Sequence, residues 1–160
     1  MTVPHLLIAV ENQQLQCYIG DVLYKSYPVS TGKNGTGQQS GSGCTPLGLH
    51  CIHNIIGLNH DVNSVFVGRE WTGEYYTPEL AASFPDRDWI LTRILQLDGL
   101  EEGYNRGGEV DTLSRFIYIH GTPDSTALGM PGSHGCIRMR NSDIVELAQW
   151  VQIGTRVSIQ

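Results

Sequence analysis

Long hydrophobic runs, blocks of like charge and strongly helix-forming segments are all scarce in this 160-residue chain. No stretch approaches the roughly 18 to 20 apolar residues that a membrane-spanning helix needs, so the sequence predicts no membrane partner. Only 10 Lys and Arg stand against 16 Asp and Glu, and without a basic stripe a general nucleic-acid binder is excluded. The shortage of helix-forming runs, together with 19 glycines, favours a mainly β fold rich in turns.

The N-terminus lacks the features of a signal peptide. Residues 1–5 carry no basic segment, and the apolar run 6–10 is too short for a signal core. If Met1 is the native start, we expect a cytoplasmic protein. A chain from which a signal peptide had been removed would look the same, which leaves the periplasm or cell wall as the alternative. The length and the lack of an internal repeat predict a single domain, 1–160.

Short apolar runs bounded by turn residues predict most of the secondary structure. The predicted strands are 6–10, 15–19, 22–29, 49–55, 64–67, 115–120 and 155–159. The run 89–97 has apolar residues on both faces, so its periodicity leaves helix and strand open. A short helix is predicted over 78–84 with Thr77 as its N-cap. One clear amphipathic helix is predicted to begin at Asn141 or Ser142, as N-cap, and to end at Gly154.

Two histidines and a cysteine lie within residues 120–136, with a glycine beside each of them. A thiol becomes a strong nucleophile as thiolate, and a nearby imidazole is the usual way to generate one. Gly135 leaves the backbone before Cys136 unobstructed, so a substrate carbonyl can approach the sulfur and nearby N–H groups can meet an oxyanion. The grouping predicts a cysteine acyl-transfer enzyme with Cys136 as nucleophile and His120 as general base.

Several segments together resemble the L,D-transpeptidase catalytic domain (the YkuD-type domain). They are His120-Gly121-Thr122, Ser133-His134-Gly135-Cys136-Ile137-Arg138-Met139 and Asn141-Ser142-Asp143, with 28–32, 45–48, 65–69 and 92–95 upstream. With the strand pattern, the resemblance implies a mainly β, two-layer β-sandwich with one prominent C-terminal helix, and it favours a buried strand over 89–97. It also implies that the Gly121 carbonyl orients the His120 ring.

The residues around Cys136 leave more than one role open. His134 could polarise the thiol, steer the substrate, satisfy local hydrogen bonds, or be the base itself. The N–H of Cys136, together with that of Gly135, is the predicted oxyanion hole. Ser133 is expected to support the loop or contact substrate. Arg138 suits a bidentate contact with a substrate carboxylate, or else pins the start of the helix or a loop carbonyl.

The resemblance implies a two-step reaction on peptidoglycan stem peptides or muropeptides, without a cofactor. Cys136 attacks the third residue of a tetrapeptide stem and expels the terminal D-alanine. Water then completes an L,D-carboxypeptidase reaction, whereas an amine gives a 3-3 cross-link or D-amino-acid exchange. The N-terminus favours a cytoplasmic carboxypeptidase in muropeptide recycling, with wall cross-linking as the alternative. Acylation of Cys136 by carbapenems is also implied.

Two rival functions and a metal site remain to be weighed. In papain-like peptidases the cysteine precedes its histidine, which is the reverse of the order here, and a non-catalytic peptidoglycan-binding domain has no need of a reactive thiol. Zinc-ligand types also occur at Cys44, His50, Cys51, His53 and His60, but no paired-ligand spacing accompanies them, so no metal is expected.

The cysteines other than Cys136 are an odd set of three, Cys17, Cys44 and Cys51. An unpaired thiol is ordinary in a reducing compartment and awkward in an oxidising one. Cys17 is expected to be a small apolar side chain in the second strand.

Overall fold

The computed structural model describes residues 3–160 and is mainly β. Met1 and Thr2, including the predicted start of the chain, lie outside the described residues. The strands are β1 Pro4–Ala9, β2 Gln14–Ile19, β3 Val22–Ser30, β4 Gly48–Ile56, β5 Ser64–Val67, β6 Glu70–Tyr75, β7 Ile90–Gly99, β8 Tyr118–Thr122, β9 Ile137–Arg140 and β10 Arg156–Ile159. The α-helices are α1 Pro78–Ser83 and α2 Asn141–Trp150, and a short 3-10 helix covers Gly108–Val110.

The sheet closes on itself. Its strand order is β4-β10-β1-β2-β3-β9-β8-β7-β5-β6, and β4 also pairs with β7. The closed barrel therefore consists of eight strands in the order β4, β10, β1, β2, β3, β9, β8 and β7. The β5–β6 hairpin extends the sheet beyond β7. The predicted two-layer sandwich is wrong in this respect, whereas the mainly β class is confirmed. Both architectures give each strand one buried face, so the alternation of residues does not distinguish them.

One large apolar cluster fills the barrel. It contains residues from eight strands, including Leu6, Leu15, Val29 and Ile52, all without measurable exposure. The same cluster takes in Ile144, Leu147 and Ala148 of α2, so the helix packs its apolar side against the strand interior. Cys17 belongs to it as well, as expected for a small apolar side chain. Among residues 3–160, neither α-helix nor the 3-10 helix is long and apolar enough to cross a membrane.

Some elements match the predictions made from the sequence, and several others differ in their presence or boundaries. The run 89–97 is a strand, and Thr77 caps α1 by accepting a hydrogen bond from the Leu80 N–H, both as predicted. Strands β6 and β9 were not predicted, and β8 begins at Tyr118 instead of Arg115. Helix α2 has Arg140 at its N-cap position without a side-chain cap and ends at Trp150, before Gly154.

Candidate active site

Parallel pairing of β8 with β9 gathers the reactive residues on one surface. His120 is in register with Arg138, and Ile119 with Ile137. Because successive side chains in a strand point to opposite faces, the burial of both isoleucines in the barrel interior places His120 and Arg138 on the outer face. Cys136 immediately precedes β9 and therefore lies at the edge of that same surface.

A second apolar cluster covers this outer face. It contains Phe66 of β5, Ile94 of β7 and Tyr118 of β8, and Cys136 packs against it. The β5–β6 hairpin thus shields the surface on which the thiol and the imidazole lie. Shielding from water strengthens electrostatic interactions within the site.

The His120 ring is fixed in one tautomer. The ring is 1% exposed, and Nδ1 lies 2.6 Å from the Gly121 carbonyl oxygen. A carbonyl oxygen only accepts, so Nδ1 carries the proton and Nε2 keeps its lone pair for a general base. Burial lowers the pKa of His120, and this outweighs the opposing effects of the Gly121 carbonyl and Asp88. The imidazole is therefore neutral at pH 7.

Only glycine fits beside this histidine. A Cβ on Gly121 would lie 2.5 Å from both the Leu91 carbonyl oxygen and Asn141 Oδ1. Asn141 accepts a hydrogen bond from Thr92 Oγ1 at 2.5 Å and donates one to Asn63. This network explains why the Asn141 side chain does not cap α2 as predicted. It braces the peptide that carries the orienting carbonyl.

The backbone at Thr92 is strained at this contact. Its φ of +76° is unusual for a β-branched residue, and it falls in the irregular stretch between Leu91 and Ile94, where the β7–β8 register shifts. Strained residues of this kind persist where the surrounding structure holds them, and they concentrate at functional sites.

The thiol of Cys136 is held between two backbone groups. The Tyr118 N–H donates to Sγ at 3.3 Å, and Sγ donates to the Phe116 carbonyl oxygen at 3.4 Å. Burial raises the pKa of the thiol to about 12, and the Tyr118 N–H only partly offsets this effect. The resting thiol is therefore neutral, as is the His120 imidazole, and the proton has to leave the sulfur during the reaction.

Ser133 organises the loop before the nucleophile. It is 2% exposed; its hydroxyl donates to the Cys136 carbonyl oxygen at 2.5 Å and accepts from the Gly135 N–H at 3.1 Å. Gly135 has φ +123°, and a Cβ there would lie 3.1 Å from the Cys44 carbonyl oxygen. Thr45 Oγ1 donates to the Gly135 carbonyl oxygen at 2.8 Å. The hydroxyl supports the loop, and contact of Ser133 with substrate stays a prediction.

Asp88 joins two of the predicted site residues. One carboxylate oxygen lies 3.2 Å from Arg138 Nη2 and the other 3.5 Å from His134 Nδ1. Burial raises the pKa of Asp88, but the positive fields of His120, Arg138 and His134 outweigh it, so the pKa is lowered overall. We call these three side chains, Asp88, His134 and Arg138, the Asp88 flank. No sequence motif marked Asp88 as part of the site.

The contacts of His134 and Arg138 narrow their roles. The His134 side chain is 79% exposed and turned toward Asp88, whereas the polar partners of Cys136 Sγ within residues 3–160 are the Tyr118 N–H and the Phe116 carbonyl. Arg138 also donates to the Gly132 carbonyl oxygen at 2.9 Å. Arg138 therefore pins a loop carbonyl, and its contact with a substrate carboxylate stays a prediction.

A different arginine contacts the side chains of two residues that hold the thiol. Arg69, in the β5–β6 turn, donates to Tyr118 Oη at 3.1 Å, and its guanidinium carbon lies 4.9 Å from the centre of the Phe116 ring. Phe116 and Tyr118 are the two residues whose backbones touch the sulfur. We call Arg69, Phe116 and Tyr118 the Arg69 flank. Sequence reasoning placed Arg69 only within a segment resembling the family.

The residues of zinc-ligand type, Cys44, His50, Cys51, His53 and His60, do not come together in one site. Within residues 3–160, no three His, Cys, Asp or Glu side chains are close enough together to hold a metal ion. His50 instead lies between the Gly48 carbonyl oxygen at 3.0 Å and Thr112 Oγ1 at 2.9 Å. All four cysteines are free thiols.

A buried, oriented imidazole on β8 and a thiol immediately before the paired strand β9 are the two groups that thiol-dependent acyl-transfer enzymes use. The family described as YkuD, L,D-transpeptidase catalytic domain, matches residues 4–159. The chain therefore belongs to the L,D-transpeptidase family, as its motifs predicted.

Individual relatives agree with this assignment. A putative L,D-transpeptidase YkuD from Bacillus licheniformis is 56% identical over 49 residues, which are 30% of this chain and 30% of that protein. The solved L,D-transpeptidase from Mycobacterium smegmatis superposes on 99% of this chain with a TM-score of 0.63, 17% identity and 59% of its own length covered.

A third comparison is with L,D-transpeptidase 3 from Mycobacterium tuberculosis in complex with a faropenem-derived adduct. It gives a TM-score of 0.60 at 18% identity, with 99% of this chain and 60% of that chain covered. At such identities the solved structures show the shared fold. The chain spans about three-fifths of the length of the solved structures.

Proposed function

We propose that this protein is a cysteine acyl-enzyme that cleaves the L,D bond before the terminal D-alanine of peptidoglycan tetrapeptide stems. In this proposal water resolves the acyl-enzyme, so the activity is that of an L,D-carboxypeptidase. The observation that carries it is the hydrogen bond from His120 Nδ1 to the Gly121 carbonyl. That bond leaves Nε2 unprotonated on the surface that also carries Cys136.

In the acylation step, Nε2 of His120 removes the proton from Cys136 Sγ as the sulfur attacks the carbonyl carbon of the third stem residue. The tetrahedral intermediate collapses to a thioester, and the proton passes from His120 to the departing nitrogen of D-alanine. Because the resting thiol keeps its proton, His120 has to remove it as part of the acylation step. The negative charge of Asp88 favours the imidazolium that forms transiently.

The two predicted oxyanion-hole donors, the N–H groups of Gly135 and Cys136, are not equally available. The Gly135 N–H already donates to Ser133 Oγ, so it is committed to the loop. We assign the role to the N–H of Cys136, which the same loop holds in place. A fixed backbone donor stabilises developing charge without having to reorient during the reaction.

Transpeptidation is the second candidate, and one observation favours it. A cavity of about 210 Å³ lies beside the Asp88 flank and is lined by Asp86, Asp88, His134 and Arg138, among others. A carboxylate facing this cavity suits an incoming amine, which would resolve the thioester to a 3-3 cross-link or an exchanged D-amino acid. Access of water to the exposed His134 side is the matching support for hydrolysis.

The cellular setting belongs to the same proposal. Hydrolysis alone suffices for the recycling of soluble muropeptides in the cytoplasm, since no acceptor strand is needed there. In the periplasm or cell wall an acceptor would be at hand, and cross-linking would be the natural outcome. Fractionation of the native host, followed by detection of the protein in each compartment, separates the two settings.

The test of function is mass spectrometry of a tetrapeptide muropeptide incubated with the enzyme, with and without a D-amino acid, beside a Cys136→Ala control. Tripeptide alone supports the carboxypeptidase. Exchange or dimer products support the transpeptidase. If the tetrapeptide stays unchanged although the protein is folded, both the carboxypeptidase and the transpeptidase are contradicted.

We also propose that carbapenem-type β-lactams acylate Cys136. Support comes from the faropenem-derived adduct of the mycobacterial neighbour, because faropenem is a penem and presents the same strained β-lactam ring to a nucleophile. Ring opening by Sγ would add the whole inhibitor mass to the protein, since no group leaves. Intact-mass spectrometry should show this adduct on the wild type and none on Cys136→Ala.

A further inference from the structure

We propose that Arg69 binds the terminal carboxylate of the departing D-alanine, the type of contact that sequence motifs suggested for Arg138. This inference rests on the proposed function, because it names the part of the stem peptide that the Arg69 flank recognises. It makes Arg69 a specificity-determining residue for substrates with a free carboxyl end.

The two residues that Arg69 and the sulfur both contact are the first support. The Arg69 guanidinium contacts the side chains of Phe116 and Tyr118, and the backbone carbonyl and N–H of the same two residues hold Cys136 Sγ. Only a nitrogen and a Cα separate the scissile carbonyl from the terminal carboxylate of D-alanine. A carbonyl at the sulfur therefore brings that carboxylate within a few ångströms of the same residues.

The unsatisfied charge of Arg69 is the second support. Arg69 takes part in none of the salt bridges among residues 3–160, and Tyr118 Oη is the partner of one of its five N–H donors. Arg138, by contrast, is held by Asp88 and by the Gly132 carbonyl. Arg115 is committed to the carbonyl oxygens of Gly37, Gln38 and Cys44.

The conformation of Phe116 is the third support. It has φ +58°, a region that bulky residues rarely occupy, and its ring is 53% exposed beneath the guanidinium. The same conformation directs its carbonyl toward Cys136 Sγ. A strained aromatic that holds a cation next to a nucleophile fits a platform for an anionic group, since stacking leaves the N–H edge of the guanidinium free.

The experiment measures kcat/KM on a tetrapeptide with a free carboxyl end and on the same peptide with a C-terminal amide. We expect the wild type to prefer the free acid. Arg69→Gln should lower kcat/KM for the acid by about 10- to 100-fold, mainly through KM, because a charge-assisted contact is lost. The rate on the amide should stay the same, and Arg69→Lys should restore part of the preference for the acid.

Arg156→Gln is the matched control, because it removes one positive charge on β10, across the barrel from β9. It should leave the preference at the wild-type value. An equal loss on acid and amide in Arg69→Gln, or an undiminished preference for the acid, would overturn the inference while leaving the proposed function intact.

A second measurement is independent of peptidoglycan chemistry. Iodoacetate and iodoacetamide both alkylate a thiol with loss of iodide, but only the first carries a carboxylate. Peptide mapping distinguishes alkylation of Cys136 from alkylation of Cys17, Cys44 and Cys51. It therefore gives the ratio of the two alkylation rates at Cys136 alone. Arg69→Gln should lower the iodoacetate-to-iodoacetamide ratio several-fold. If the wild type fails to cleave the stem peptide and the ratio still falls, the carboxylate site stands and the proposed function fails; an unchanged ratio contradicts the site.

Discussion

The two flanks of Cys136 both carry an arginine, but they balance its charge differently. On the Asp88 flank, Arg138 meets a carboxylate and a loop carbonyl, so its charge is neutralised within the protein. On the Arg69 flank, the guanidinium rests on an aromatic ring and forms none of the salt bridges within residues 3–160. An arginine beside a nucleophile is available to an anionic substrate only if the protein has not already paired it.

The comparison also separates what each flank contributes to the reaction. The Asp88 flank supplies a negative charge that acts on His120, and hence on proton transfer. The Arg69 flank supplies a positive charge that rests on the side chains of the two residues holding the sulfur, and by the proposal above it acts on substrate selection. Variants on the first should change rates and pH profiles, and variants on the second should change substrate preference.

The largest effect is expected from His120, and a smaller one from His134 of the Asp88 flank. His120→Ala should lower kcat/KM by about 10²- to 10⁴-fold, the range for loss of a general base. His134→Ala should cost less than about tenfold, because that ring is exposed and turned to Asp88. Steady-state kinetics on both variants decides the matter, and a larger loss for His134→Ala would exchange the two roles.

Acid sensitivity of the fold has to be separated from acid sensitivity of the site. Burial lowers the pKa of His50 from 6.5 to about 4, so the unfolded state binds the proton more readily. Stability is therefore present above pH 6.5 and is lost as pH falls toward 4, by about 3 kcal/mol at most. Urea unfolding at several pH values measures this loss. His50→Gln should flatten the dependence, and an unchanged slope would assign it elsewhere.

The loop between the flanks should depend on Ser133. Ser133→Ala removes two hydrogen bonds and leaves the Gly135 N–H unsatisfied, which should cost roughly 1 to 3 kcal/mol. Denaturant unfolding at pH 7.5 gives the value. The exposed Ser125 provides the control, since Ser125→Ala should be neutral. Equal stability of the two variants would show that the loop does not rely on the Ser133 hydroxyl.

The smallest effect is expected from the Asp88 charge. His120 has a lowered pKa, so the acid limb of kcat/KM should lie below pH 6.5 in the wild type. The groups that act on the pKa of His120 are the Gly121 carbonyl, Asp88 and Arg138. Asp88→Asn removes the charge that raises the His120 pKa, so the limb should move to lower pH, with a rate loss at pH 7.5 of about tenfold or less.

Asp86→Asn is the control for that profile, because Asp86 lines the same cavity but is absent from the salt bridges among residues 3–160. It should reproduce the wild-type limb. A shift to higher pH in Asp88→Asn would contradict the assigned sign of the interaction.

The residues of the site differ in how readily the sequence identifies them. Cys136, His120 and Gly121 stand in one recognisable pattern, because their chemistry depends on short separations along and between two strands. Asp88 and Arg69 lie 48 and 67 residues before Cys136 in the chain. Neither residue type is distinctive on its own, so only folding could reveal their contacts with residues of the site.

Secondary structure follows the same division. Most strands were predicted from alternation and turn residues, and Thr77 from its capping chemistry. Strand β9 was missed because its four residues, Ile137–Arg140, are too short to show a period. Asn141 was taken for a cap, since local rules favour that role, but contacts with Thr92 and Asn63 claim its side chain.

The sequence by itself determined the family, the mainly β class and the nucleophile-containing motif, because these depend on residue identity and local periodicity. Tertiary structure decided that the sheet closes into a barrel, through the pairing of β4 with β7. It also decided that Arg138 is neutralised by Asp88 and that burial keeps the proton on the Cys136 thiol. Charge pairing and burial are set by residues distant in the chain, and alternation along a strand carries no record of which strands will pair.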